Sequence, residues 1–189
     1  MVKRLVVFDF DGTLINSPLP ENGKVMWSNY YKRDYPYIGW FSKKESLDLN
    51  VFDIKPLEST YNEYLKEKNC QDTIIIVMSN RLERLRNEIR LVLNKNNITV
   101  NEIDLNRDND NKGQRLFRYI KKFPTISEIV VFDDRDSDLE SYENVMPILA
   151  EKNINIIINK VFNSENNKYN LINEEINNFI CIYNKIKNE

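Results

Sequence analysis

Two aspartates, Asp9 and Asp11, follow the short β-rich run RLVVF at residues 4–8. A second acidic pair, Asp133-Asp134, follows the run EIVVF at 128–132. Side chains alternate along a strand, so the carboxylates of Asp9 and Asp11 are expected on one side, with Phe10 turned to the core. Carboxylates crowded together repel, and the crowding needs a proton or a cation to relieve it. A hard divalent ion with oxygen ligands, Mg²⁺, answers that need. A third apolar run, TIIIVM at 73–78, ends in Ser79-Asn80-Arg81, which offers a hydroxyl, an amide and a guanidinium. In an open parallel sheet, ligands gather beyond the carboxyl ends of the strands. Three strand ends are therefore expected to bring acids, a hydroxyl and a base to one edge. The chain has no histidine, which excludes Ser-His-Asp triads, Cys-His dyads and His-ligated zinc.

The elements that must hold these residues follow from periodicity. The runs at 4–8, 73–78, 128–132 and 154–158 are short and continuously apolar, as strands covered on both faces are. Residues 102–105 (EIDL) are a weaker fifth strand. Between them, Leu57, Tyr61, Tyr64 and Leu65 share one helical face, as do Leu82, Leu85, Ile89, Val92 and Leu93. Leu116, Phe117, Ile120 and Phe123 form a third such stripe, and Ile172, Ile176, Phe179, Ile180 and Tyr183 a last one. Alternating strands and helices predict an α/β fold with a mostly parallel sheet and helices on both faces. At 189 residues, 41% hydrophobic and 30% charged, the chain reads as one globular domain, 1–189. Residues 15–55 break the alternation. This stretch holds Trp27, Tyr30, Tyr31, Tyr35, Tyr37, Trp40 and Phe41, and reads as a small cap-like insertion after the first strand. Its aromatics form either a stacking surface for a ligand or a small hydrophobic core. Residues 159–170 are polar and read as a surface loop.

FDFDGTL at 8–14 resembles the first motif of the HAD (haloacid dehalogenase-like) phosphohydrolases. VFDDRDSDL at 131–139 is similar to their acidic fourth motif. Ser79 after an apolar strand resembles the second motif, and Lys112 stands where the third would fall. The resemblance spans residues 1–158 and implies a three-layer HAD-like Rossmannoid fold. Trp27 and Gly39-Trp40-Phe41 resemble elements of the Swiss Army Knife RNA repair-like HAD domains. Asp133-Asp134-Arg135 resembles the DDR of phage polynucleotide 3′-phosphatases. One departure is Asn80, where those relatives carry Gly.

This resemblance implies a Mg²⁺-dependent phosphatase working through an aspartyl phosphate. Asp9 matches the nucleophile and Asp11 the general acid/base. Ser79 would bond a phosphoryl oxygen, and Lys112 would neutralise charge on phosphoryl and nucleophile. Thr13, Asn80 and Arg81 are the further substrate-binding candidates. The metal set would draw on Asp9, Asp11, Asp134 and Asp133, with Asp138 close behind and a backbone carbonyl supplied at Asp11. Arg115 and Arg118 would extend a positive rim, while Arg84, Arg86 and Arg90 read as a solvated helix face. The substrate is a phosphorylated DNA or RNA end, or a small phosphorylated metabolite or nucleotide. A non-catalytic module holding phosphorylated ends is the remaining class.

With 27 basic and 29 acidic residues the net charge is -2, which argues against a globally basic nucleic-acid binder. Cys70 and Cys181 are expected to be reduced, mostly buried thiols of a cytoplasmic protein. No run approaches a membrane span, and the N-terminus does not read as a signal peptide. Asp108-Asn109-Asp110 resembles the start of a calcium loop, but Lys112 and Tyr119 occupy ligand positions.

Overall fold

The computed structural model describes residues 1–162. The apolar stripe from Ile172 to Tyr183, and Cys181, lie outside the described residues. In chain order the elements are β1 (Arg4–Phe8), β2 (Ile15–Asn16), α1 (Pro20–Tyr31), a 3₁₀ turn at Lys44–Leu47, β3 (Lys55–Pro56), α2 (Glu58–Lys68), β4 (Thr73–Leu82), a 3₁₀ turn at Glu83–Leu85 and α3 (Arg86–Lys95). Then follow β5 (Glu102–Asn106), α4 (Lys112–Lys122), β6 (Glu128–Asp133), α5 (Asp136–Glu143), α6 (Met146–Glu151) and β7 (Asn155–Lys160).

Five strands pair in parallel in the order β5-β4-β1-β6-β7. Alternation splits their side chains between two cores. Val6, Phe8, Val77 and Phe132 face α3, Tyr64 of α2 and the insertion. Leu5, Val7, Met78 and Val131 face α4, Tyr142 of α5 and Leu149 of α6. Both faces of the central strands are covered, which is why β1, β4 and β6 read as unbroken apolar runs, while the edge strand β7 leaves Ile157 exposed. The fold is therefore α/β and three-layered. From β1 the chain moves first to β4 and β5 on one side, then returns to β6 and β7 on the other. Such a reversal opens a crevice at the carboxyl ends of β1 and β6.

The insertion leaves the sheet after β1. At its base the chain closes on itself, with Ile15 opposite Pro56 and Asn16 opposite Lys55 in an antiparallel pair. Trp27, Trp40, Leu47 and Phe52 are buried in the same core as the sheet. The Trp40 indole donates to the Pro18 carbonyl at 2.7 Å. Its ring lies against α1, where a Cβ on Gly23 would come within 2.2 Å of it. Trp27, Trp40 and Tyr35 thus serve packing, whereas Tyr30, Tyr31, Tyr37 and Phe41 stay partly exposed.

Two expectations change. The stripe expected to begin a helix at Leu82 does not: β4 continues through Ser79-Asn80-Arg81 to an exposed Leu82, and α3 starts at Arg86. Cys70 is exposed, beyond the end of α2, rather than buried. Helices α1, α5 and α6 carry no apolar stripe that stands out in the sequence; α5 (DSDLESYE) is largely polar and α6 only six residues long. Among the described residues, no helix is long and apolar enough to cross a membrane.

Candidate active site

Asp9 is the first residue past β1, and its N–H donates to the Phe132 carbonyl of β6 at 2.9 Å. Because Phe8 and Phe132 are in register, Asp9 and Asp133 continue neighbouring strands and their carboxylates are pressed together. Lys112 relieves the pressure. Its Nζ donates to Asp9 at 2.6 Å and to Asp133 at 2.7 Å, with Asp138 at 3.3 Å. Lys112 is fully buried. Burial alone would push the ammonium down, but Asp9, Asp133 and Asp138 hold it well above the usual lysine range.

Two features place Lys112 here. Asn111 caps α4 and forms a capping box with Gln114, so the helix begins at Lys112. Gly113 then lets the helix start touch α5: a Cβ there would lie 1.9 Å from the Ser141 carbonyl oxygen. The Gly113 N–H donates to Ser141 Oγ, which donates in turn to the Asp138 carbonyl.

Asp9, Asp133 and Asp134 each offer a carboxylate oxygen, all within 4.8 Å of one another. Burial raises Asp9 to about 7; Lys112 opposes the rise, and Asp133 and Asp11 add to it. Burial and the nearby Asp9 raise Asp134 to about 6. Asp133 is raised by burial too, against the pull of Lys112. Three acids held at this cost, with an all-oxygen donor set, fit a hard divalent cation. Thr13 supports the set by donating to Asp134 at 3.3 Å.

The Asp11 carboxylate is not in that group, contrary to its inclusion in the metal set. Arg81 grips it with two hydrogen bonds, Nε at 2.7 Å and Nη2 at 2.8 Å, and Ser17 Oγ donates to it at 2.6 Å. What Asp11 can still give a cation is its backbone carbonyl. Arg81 has its third nitrogen on the Phe41 carbonyl and Ser46 Oγ, so it ties β4 to both Asp11 and the insertion.

Ser79 is buried within β4, with its hydroxyl accepting from the Arg81 N–H. Asn80 donates to both oxygens of Asp138 at 3.1 Å and accepts from Arg115. Arg115 does not extend a rim: it is buried, paired with Asp104 and bonded to the Ser79 carbonyl. Asp104 and Asp138 thus have supporting roles, through Arg115 and Asn80, that their places in the sequence do not by themselves announce. The signal for Asp104 is an acid set between Ile103 and Leu105 in a short strand. Arg118 pairs with Asp108 and Asp110, which are thereby occupied without any cation. Arg84 donates to the Ser42 carbonyl, and Arg86 to the Ile103 carbonyl and Glu83.

Asp9, Asp11, Ser79, Asn80, Arg81 and Asp134 all line one cleft of about 640 Å³. Lys112, Asp133 and Thr13 are buried behind them.

No family model matches the sequence, and no curated relative does. Solved structures do. The HAD domain of the effector protein Lem4 from Legionella pneumophila, as an inactive mutant, superimposes with a TM-score of 0.53 at 19% identity, over 87% of this chain and 88% of that one. A second structure of that domain gives 0.50 at 17% identity, over 86% of this chain and 88% of that one. The chain has the HAD fold. A chain of the Pnkp1/Rnl/Hen1 RNA repair complex gives only 0.47 at 15% identity, over 85% of this chain and 44% of that one, below the level at which a shared fold is argued. The HAD fold accounts for the sheet order and the crevice; the chemistry rests on this chain's own side chains.

Proposed function

We propose that the protein is a Mg²⁺-dependent phosphohydrolase acting through an aspartyl phosphate at Asp9. The observation that carries this reading is the group Asp9, Asp133 and Asp134, of which Asp9 and Asp134 line one cleft while Asp133 and the buried Lys112 lie directly behind. Asp9 and Asp134 would hold the cation with the Asp11 carbonyl, and Asp133, which already accepts from Lys112 and the Arg135 N–H, would contribute less. When bound, the ion masks the negative charge that otherwise keeps a carboxylate from a phosphate.

In this reading an Asp9 oxygen attacks phosphorus as the bond to the leaving oxygen breaks. Asp11, carrying a proton, gives it to that oxygen; it then takes a proton from the water that attacks phosphorus and frees Asp9. Asp11 exchanges its contact with Arg81 for one with the leaving oxygen, since both of its oxygens are occupied here. Lys112 balances charge on Asp9 and the phosphoryl group, and the Ser79 hydroxyl bonds a phosphoryl oxygen. The substrate proposed is a phosphorylated nucleic-acid end, with the largely exposed Arg135 at the cleft wall meeting backbone phosphate. A cleft of about 640 Å³ also suits a free nucleotide or a small phosphorylated metabolite. The doubly occupied Asp11 favours a third reading, a binding module that holds phosphorylated ends without turnover.

Replacing Asp9 by Asn is expected to abolish Mg²⁺-dependent phosphate release while the far-UV circular dichroism stays native. The screen should span nucleotides, sugar phosphates and phosphorylated DNA and RNA ends. Full activity in Asp9→Asn would remove Asp9 as nucleophile. No release by the unaltered protein on any substrate, with tight binding of phosphorylated ends, would favour the binding module.

A further inference from the structure

Phe41 and Leu82 are large apolar side chains, 37% and 38% exposed, on the wall of the acid-lined cleft. Leu19 joins them there. Apolar groups left open beside a charged floor mark a place where part of a ligand is buried.

Phe41 is also held in place before any ligand arrives. Its carbonyl takes Arg81 Nη1 at 2.8 Å, and the next carbonyl, of Ser42, takes Arg84 Nη2 at 2.9 Å. The Arg81 guanidinium lies 5.3 Å from the ring centroid and supports it as a cation–π partner. A ring fixed in this way loses little freedom on binding.

We propose that Phe41, with Leu82 beside it, is the platform for the base of a nucleotide whose phosphate sits at Asp9. This rests on the phosphohydrolase reading and names its substrate class. Asp11, the acid assigned to the leaving oxygen, and the backbone of Phe41 are bonded to opposite sides of one guanidinium. Asp9, Asp11 and Phe41 therefore line one cleft, with Arg81 between the acid and the ring-bearing loop. A base can reach Phe41 through its sugar, and a phosphorylated sugar without a base leaves the platform bare. Every base has a π face, so the platform selects for a base without choosing among bases. The same chemistry is offered by a free nucleotide and by the terminal nucleotide of a strand.

The test is a ratio measured within each protein. For the unaltered enzyme with Mg²⁺, kcat/KM for thymidine 3′-monophosphate and for a 3′-phosphorylated oligonucleotide is compared with that for ribose 5-phosphate. Base-bearing substrates are expected to lead by about five- to 150-fold, the range of one base–aromatic stack. Phe41→Ala and Phe41→Leu should collapse the ratio, and Phe41→Tyr should restore it. Because each ratio is internal, partial unfolding of a variant does not mimic the result. A lead shared equally by nucleotide and oligonucleotide supports the platform with a free nucleotide as sufficient ligand; a further lead for the oligonucleotide supports it with a strand end. A ratio near one in the unaltered enzyme, or one that survives Phe41→Leu, overturns the platform and leaves the phosphohydrolase standing. Should no phosphoester be turned over, the phosphohydrolase reading falls, and dissociation constants for the same ligands on the same variants decide the platform.

Discussion

Lys112 sits among three carboxylates, Asp9, Asp133 and Asp138, and both it and Asp133 are wholly buried. A buried ion pair contributes little net stability, but removing one partner leaves a charge with nothing to offset its lost hydration. Lys112→Met is therefore expected to destabilise the metal-free protein by about 3–5 kcal/mol at neutral pH. Urea unfolding at pH 7 and at pH 5 checks this. The loss should shrink at pH 5, where Asp9, raised to about 7, has taken up its proton and needs no cation beside it. An equal loss at both pH values would mean that Lys112 matters for its packing and not its charge. The same network explains Asn80. Its amide spans Asp138 and Arg115 and so holds Asp138 towards Lys112, a connection that a glycine at this position lacks.

Helix α4 meets α5 closely enough that backbone, not side chains, sets their spacing. An exposed Gly→Ala inside a helix ordinarily stabilises by about 1 kcal/mol. At Gly113 the added Cβ would strike the Ser141 carbonyl at 1.9 Å, and overpacking of this kind costs about 1–3 kcal/mol. Gly113→Ala should thus lower the urea midpoint, and it should lower kcat further by tilting Lys112 away from Asp9. A variant with raised stability and full kcat would show that α4 has room to move. Sequence periodicity could not reveal this contact. It located β1, β4 and β6 because they are buried on both faces and so carry an unbroken apolar signal; the edge strand β5 (EIDLN) is interrupted by acids and read more weakly, and β7 keeps its Ile156–Ile158 run although one face is exposed. It cut β4 short at Met78 because Ser79, Asn80 and Arg81 are polar, and their partners, Asp138 and Asp11, lie far off in sequence. For the same reason Arg115 read as a surface cation although it is buried against Asp104. The acids after β1 and β6 were legible as motifs; which of them share a pocket, and which is held by arginine, depended on register and loop closure.

Across the whole molecule, the acid cluster makes stability a function of pH and of metal together. Asp9 is raised to about 7 and Asp134 to about 6, against an ordinary value of 3.8. Between about pH 4 and pH 7 the folded chain therefore binds more protons than the unfolded one. Stability must fall as pH rises through that window, because the native state is the one obliged to give up protons against its own field. Above pH 7 the penalty from these groups is complete. A divalent cation reverses the dependence. It binds the ionised carboxylates of the folded chain, so its stabilisation grows as pH rises through the same window and scales with its concentration over its dissociation constant. The metal-free protein is accordingly expected to lose thermal stability from pH 5 to pH 7.5, and saturating Mg²⁺ to restore most of the loss at pH 7.5 while changing little at pH 5. Thermal melts at both pH values, with EDTA and with Mg²⁺, read this directly. The cluster joins the carboxyl ends of the adjacent strands β1 and β6, so the shift should appear in the global unfolding transition rather than as a separate local one. Melts that are flat with pH and indifferent to Mg²⁺ would mean that Lys112 alone satisfies these acids, and the metal-dependent chemistry built on them would have no site.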